Sequence, residues 1–447
     1  MAVATIDLMT QRSTQSLQPP TEDGRHECDV LIAPLRTEIL RHLESLQLPG
    51  GGTAAADAMP SKAEIRAMHA AQRTVVSQRE WSALRHKCSR LLTHIANGDE
   101  VRPERIDPDL VPVESGSEAA DLFRFATLQW SVPVSKGYGR RMRFLVRDRS
   151  NGKLIGIVAL TDPVFNLRAR DAWIGWDVKD RRARLVHTMD AHVLGALPPY
   201  STILGGKLIV ALLGAAELSD AFMARYAGRT GIISLEHKAA RLTLITVTSA
   251  LGRSSLYNRV RLTPSSDDGQ QHTLVELVRI GATSGYGHFQ VPDALFLRIR
   301  DLLRLRGHPY GDGHQFGHGP NWRLRVVRVG FELLGLNSEL VRHGVKRDIY
   351  AMPLASNFRD FLCGVDEEPA MDRPSVGEIA AAAKERWLLP RAQRRPEYAA
   401  FRREEFLQHL SLPLAEEHAQ VLMQHALFGG QEAKYFSDQG SGLHMPR

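Results

Sequence analysis

The chain has 447 residues and a formal charge of +7, from 57 Lys plus Arg against 50 Asp plus Glu. Hydrophobic residues at 43% and charged residues at 24% are ordinary globular usage, which excludes a disordered chain, and at roughly 150 residues per domain two or three domains are expected. No apolar run approaches the roughly 20 residues that cross a bilayer. Cys28, Cys88 and Cys363 are too widely spaced for a disulfide scaffold or a close-paired zinc site, so a cytoplasmic protein with no membrane contact and no metal is expected.

Residues 1–30 and 49–60 are rich in Ser, Thr, Gln, Pro and Gly without an apolar period and read as flexible. Between them Leu35, Ile39, Leu43 and Leu46 recur at helical spacing, predicting an amphipathic helix over 34–48. Ser61 and Glu64 form a capping box that opens a second helix, and Asn97-Gly98 is read as a left-handed helix end. A helical N-terminal region therefore covers 31–115. From there to 365 the period turns toward strands, predicting a mixed α/β (α+β) core.

Segments 142–146 and 154–160 flank Ser150-Asn151-Gly152, a hairpin signal. Further strands are predicted at 173–176, 193–197, 232–235, 242–247 and 273–280, with a helix at 206–218, a loop at 307–319 and a helix at 324–334. Ser375 and Glu378 suggest another capping box, opening a basic helical region over 366–447.

The positive charge is clustered. Between 136 and 149, Lys136, Arg140, Arg141, Arg143, Arg147 and Arg149 face Asp148 alone, and arginine forks match phosphate in two-point geometry. Arg140, Arg141, Arg143, Arg168, Arg181 and Arg182 are the candidate nucleic-acid ligands, with Trp173 and Trp176 as stacking surfaces; the alternative is a solvated, ion-paired face. Gly205 and Gly206 start a helix after a proline stop and, with Lys207, are candidate phosphate ligands; the alternative is a turn needing glycine for packing. Asp171, Glu236 and Tyr257 are the acid-base candidates. His308, His314, His318 and Asp312 cluster in a loop without metal-site spacing, and no Walker or helicase motif is present.

The succession Arg170-Asp-Ala-Trp-Ile-Gly-Trp176, Pro198-Pro-Tyr200 with Gly205-Gly-Lys207, Tyr257-Asn258, Thr283-Ser-Gly-Tyr-Gly-His-Phe289, Gly319-Pro-Asn321 and His343-Gly-Val-Lys-Arg347 resembles the DruA family of the Druantia anti-phage system over residues 115–365. The resemblance implies a bacterial defence protein, associated with DNA and with other defence or transposition proteins, and carries no catalytic residue with it. The order of hairpin, strand and glycine-started helix also resembles the GNAT acetyltransferase fold, with Thr202 where that family has Arg or Gln. That likeness implies coenzyme A as the one cofactor to consider, and the remaining alternative is a transposition accessory or adaptor.

Overall fold

The structure is a computed structural model. It describes residues 22–45, 59–228, 239–264, 273–285, 291–313, 320–341 and 344–408. The chain divides into two compact units, one from Met1–Met68 with Ser284–Lys346 and one from His69–Thr283 with Arg347–Arg447.

The first unit is helical. The stripe of Leu35 and Ile39 on helix Glu22–Ser45 is buried against Leu295 and Ile299 of Asp293–Leu305 and Val326 and Phe331 of Pro320–Leu333. Gly330 permits the close helix approach, since a Cβ there would lie 2.2 Å from Ile299 Cγ2. Of the predicted stripe, Leu46 lies outside the described residues.

The second unit is built on a sheet. Its strands are β1 (Pro108–Pro112), β2 (Arg141–Asp148), β3 (Lys153–Thr161), β4 (Thr188–Ala196), β5 (Leu244–Thr248), β6 (Arg261–Leu262), β7 (Val275–Glu276), β8 (Val278–Ala282) and β9 (Asp348–Pro353). Seven of them run in the order β1-β2-β3-β4-β5-β9-β8, and β6 pairs with β7 separately. Among the described residues β4 and β5 are the one parallel pair; the others are antiparallel.

The hairpin between β2 and β3 follows the expected turn, with Gly152 at φ 71° where a side chain would be strained. Alternation then sorts the side chains. Phe144, Val146, Leu160, Met189, Ala191, Ile245 and Met352 face helix Gly205–Ala211 and its neighbours. Leu145, Ile157, Ala159 and Val193 face Phe123 and Phe125 of helix Glu118–Thr127. Farther along that second face, Leu244 and Ala351 meet Trp176, Phe358 and Phe361.

Both capping boxes form, Ser61 with Glu64 and Ser375 with Glu378. Two expectations are corrected. Residues 173–176 belong to helix Arg168–Ile174 and its left-handed end at Gly175, because Asp171 collects amide and side-chain donors that a strand would point apart. Asn97 is extended, at φ −72° and ψ 157°, and caps the next turn; Gly98 is required by the backbone of Tyr398, whose carbonyl oxygen a Cβ would meet at 2.1 Å. The strand predicted at 232–235 and the far C-terminus lie outside the described residues.

Candidate functional site

Cross-strand register sets Arg141 beside Thr161, Thr161 beside Asp190 and Asp190 beside Thr246, one row across β2, β3, β4 and β5. Two residues farther along β2, Arg143 shares the face of Arg141. A bulge between Ala159 and Leu160 adds His192 to the facing stretch of β4. The loop before β2 arches over this row: Thr161 Oγ1 accepts from the Tyr138 amide at 2.7 Å and donates to its carbonyl at 2.6 Å. Gly137 lies so close that a Cβ would stand 2.9 Å from Thr161 Oγ1 and 3.1 Å from His192 Cε1.

This strip interrupts an otherwise apolar face. Thr161 and Thr246 are buried, Tyr138, Asp190 and His192 partly so, and Arg141 is exposed. Thr246 Oγ1 donates to Asp190 Oδ1 at 2.7 Å. Desolvation pushes the Asp190 carboxyl up to about 6, with the Thr246 bond and the charge of Arg170 pulling the other way. Burial, then the charge of Arg141, drops His192 to about 4 against a weaker opposing pull from the backbone of Ala159 and Ser135, so its ring is neutral near pH 7. Its Nδ1 is buried without a hydrogen-bond partner. Burial and the carboxylates of Asp190 and Asp162 raise the Tyr138 phenol.

The six candidate arginines divide sharply. Arg140 is consumed by structure: Nε donates to Asp162 at 2.7 Å, Nη1 and Nη2 donate to the carbonyls of Val186 and Thr188, and the guanidinium lies over Phe222. Arg181 is likewise held, donating to Asp171 at 2.7 Å beneath the Phe165 ring. Arg168 and Arg182 are exposed, and Arg182 lines a cavity of about 460 Å³ with Lys179, Arg184 and His187.

Arg141 and Arg143 are different. Among the described residues neither has a carboxylate at ion-pair distance, and Arg143 rests over Phe123. Burial lowers its guanidinium, and Arg141, Arg225 and Arg124 add like-charge repulsion. Concentrated cations without counter-charge favour an anion.

The acid-base candidates do not converge. Asp171 is the centre of a buried network and receives hydrogen bonds from Arg170, Arg181, Trp176 Nε1 and the Leu167 amide. With its lone pairs occupied it is a structural anchor. Trp176 is buried in the same network and Trp173 stacks on Phe358 at 5.0 Å, which corrects their reading as base platforms. Tyr257 packs edge-on to Tyr350, on the opposite face of β9 from Ala351, and burial raises its phenol to about 12. Glu236 lies outside the described residues, as do His314 and His318.

The glycine turn is filled from within. The Gly205 amide donates to the Tyr200 carbonyl at 2.8 Å, a Cβ on Gly206 would meet Leu256 at 2.9 Å, and Lys207 Nζ sits 5.2 Å from the Trp387 ring centre. Both glycines are buried, so packing alone demands them.

Sequence reasoning missed Asp190, His192 and Thr246. The available signal was the alternation of Thr188, Asp190 and His192 with Met189, Ala191 and Val193, in which two ionisable residues share one face of an apolar strand.

Together these features define a mixed α/β protein whose central sheet carries a titratable strip rimmed by uncompensated arginine. The family described as Druantia protein DruA matches residues 59–364. A relative in Escherichia coli (strain UMEA 4076-1), named Druantia protein DruA, is 45% identical over 383 residues, covering 85% of this chain and 92% of its own. No solved structure matches. The chain belongs to the DruA family, the defence family that the motif order resembles.

Proposed function

We propose that this DruA-family protein acts in anti-phage defence in the cytoplasm, holding the backbone of DNA at Arg141, Arg143 and Arg225 while other defence proteins carry out the remaining steps. The observation that supports it is the absence, among the described residues, of any carboxylate paired with Arg141 or Arg143, beside neighbours such as Arg140 and Arg149 that are paired. A guanidinium set kept free of counter-charge is stabilised by a polyanion, which releases its own counterions on binding. No helix among the described residues is long and apolar enough to cross a membrane.

Gel shifts and fluorescence anisotropy across salt test the reading. The chain is expected to bind at low salt, and Arg141→Ala with Arg143→Ala is expected to reduce the slope of log K against log salt by roughly 2, one for each phosphate no longer neutralised. Arg182→Ala is expected to leave that slope unchanged. Absence of binding at low salt, or an unchanged slope in the double variant, rejects the assignment.

A second reading is supported by topology. The antiparallel run through β4, the glycine-started helix Gly205–Ala211 and the parallel return to β5 resemble the acetyltransferase order. Folds are reused, and the filled glycine turn favours a non-acetylating use of this one. Calorimetry with acetyl coenzyme A is expected to show no heat at millimolar ligand; saturable binding would instead favour acyl transfer.

A further inference from the structure

We propose that the strip seats one unpaired nucleotide, its phosphate on Arg141 and Arg143 and the hydrogen-bond donors of its base or sugar on Asp190. This rests on the DNA reading above and names the form of DNA that the site takes.

The register carries the argument. Arg141 and Asp190 stand two strands apart in one row, so their Cα atoms are about 10 Å apart at the usual strand spacing. Between them lies Thr161, a small side chain already turned to the Tyr138 backbone. The row thus presents cations at one end and a carboxyl at the other, separated by a shallow stretch. A nucleotide has the same polarity: an anionic phosphate, a sugar, and a base edge carrying N–H donors.

Two further groups fit this occupant. The buried Nδ1 of His192 lacks a partner, and Tyr138 adds an aromatic ring beside the row. In a duplex the base edges are paired and stacked, so only an unpaired or extruded nucleotide can bring its donors to a carboxyl set in a sheet face.

The groups facing Asp190 fix the expected pH response. They are Thr246 from β5, Thr161 from β3, His192 along β4, Tyr138 from the loop and Arg170 from helix Arg168–Ile174. Between pH 5.5 and 7.5 Asp190 changes charge while His192 stays neutral and Tyr138 protonated. The ionised carboxyl is the stronger acceptor.

The test is anisotropy of the full chain with a labelled single strand and with a blunt duplex of the same sequence, over that pH range. Wild type is expected to prefer the single strand at pH 7.5, and to lose affinity for it as pH falls through about 6. Asp190→Asn, nearly isosteric, is expected to weaken single-strand binding on the order of ten-fold, to flatten the pH profile and to leave duplex binding unchanged. Thr246→Ser retains the hydroxyl and is expected to behave as wild type, whereas Thr246→Val weakens single-strand binding. Equal affinity for both forms, or an Asp190→Asn profile identical to wild type, overturns the nucleotide site and leaves the DNA reading standing. Failure of wild type to bind either form removes both.

Discussion

Replacing Asp171 with alanine is expected to cost about 3 to 5 kcal/mol of stability. Arg170 has no exposed surface and places Nε and Nη2 on Asp171 Oδ1 at 2.9 and 2.7 Å. Its remaining donors go to the carbonyls of Val164 and Phe165. Removing the carboxylate leaves a buried guanidinium without counter-charge and strands Trp176 Nε1, which donates to the same Oδ1 at 2.9 Å. The penalty is the desolvation of groups left behind, and it exceeds what the pair contributes when intact. Urea denaturation followed by tryptophan fluorescence measures it. A loss below about 1 kcal/mol would mean that the network is replaceable by water and that Asp171 is free for chemistry.

Asp190→Asn carries the second large effect, with opposite sign. The Asp190 carboxyl sits near 6 in the folded chain and near 3.8 when exposed. The folded state therefore holds a proton that the unfolded state has released at intermediate pH. Its favourable contribution is complete below about 3.8 and is lost as pH rises through about 6. At pH 7.5 wild type bears the full cost of an ionised, desolvated carboxylate, roughly 3 kcal/mol from a shift of about two pH units. The neutral amide avoids that cost while its Oδ1 still accepts from Thr246. The variant is expected to melt at a higher temperature than wild type at pH 7.5, the gain shrinking toward pH 5. Destabilisation at pH 7.5, or the same gain at both pH values, would contradict the placement of Asp190. A stabilising substitution that also weakens ligand binding marks a group retained for function.

Local signals are the most legible part of the sequence. The Ser150-Asn151-Gly152 turn and the two capping boxes depend on interactions within four residues, and all three form. Helix Arg168–Ile174 passes for a strand because Trp173, Ile174 and Trp176 mimic a short apolar run, while the deciding donors come from Arg181 and Leu167. Gly98 eludes a local reading for the same reason, since Tyr398 arrives from 300 residues away.

The site is only partly legible. Arg141 and Arg143 stand out by charge, but charge alone does not distinguish them from Arg140, whose partner Asp162 is set by the fold. Asp190 becomes visible only when register places it between Thr161 and Thr246.

The most direct test of the sheet-face site is photo-crosslinking of a bromodeoxyuridine single strand to the full chain, followed by peptide mapping. Adducts are expected on the loop and strand around Tyr138, Arg141 and Arg143 and on β4 near His192, and they should disappear in the Arg141→Ala, Arg143→Ala variant. Adducts confined to other surfaces, such as the cavity of Lys179, Arg182 and Arg184, would contradict it.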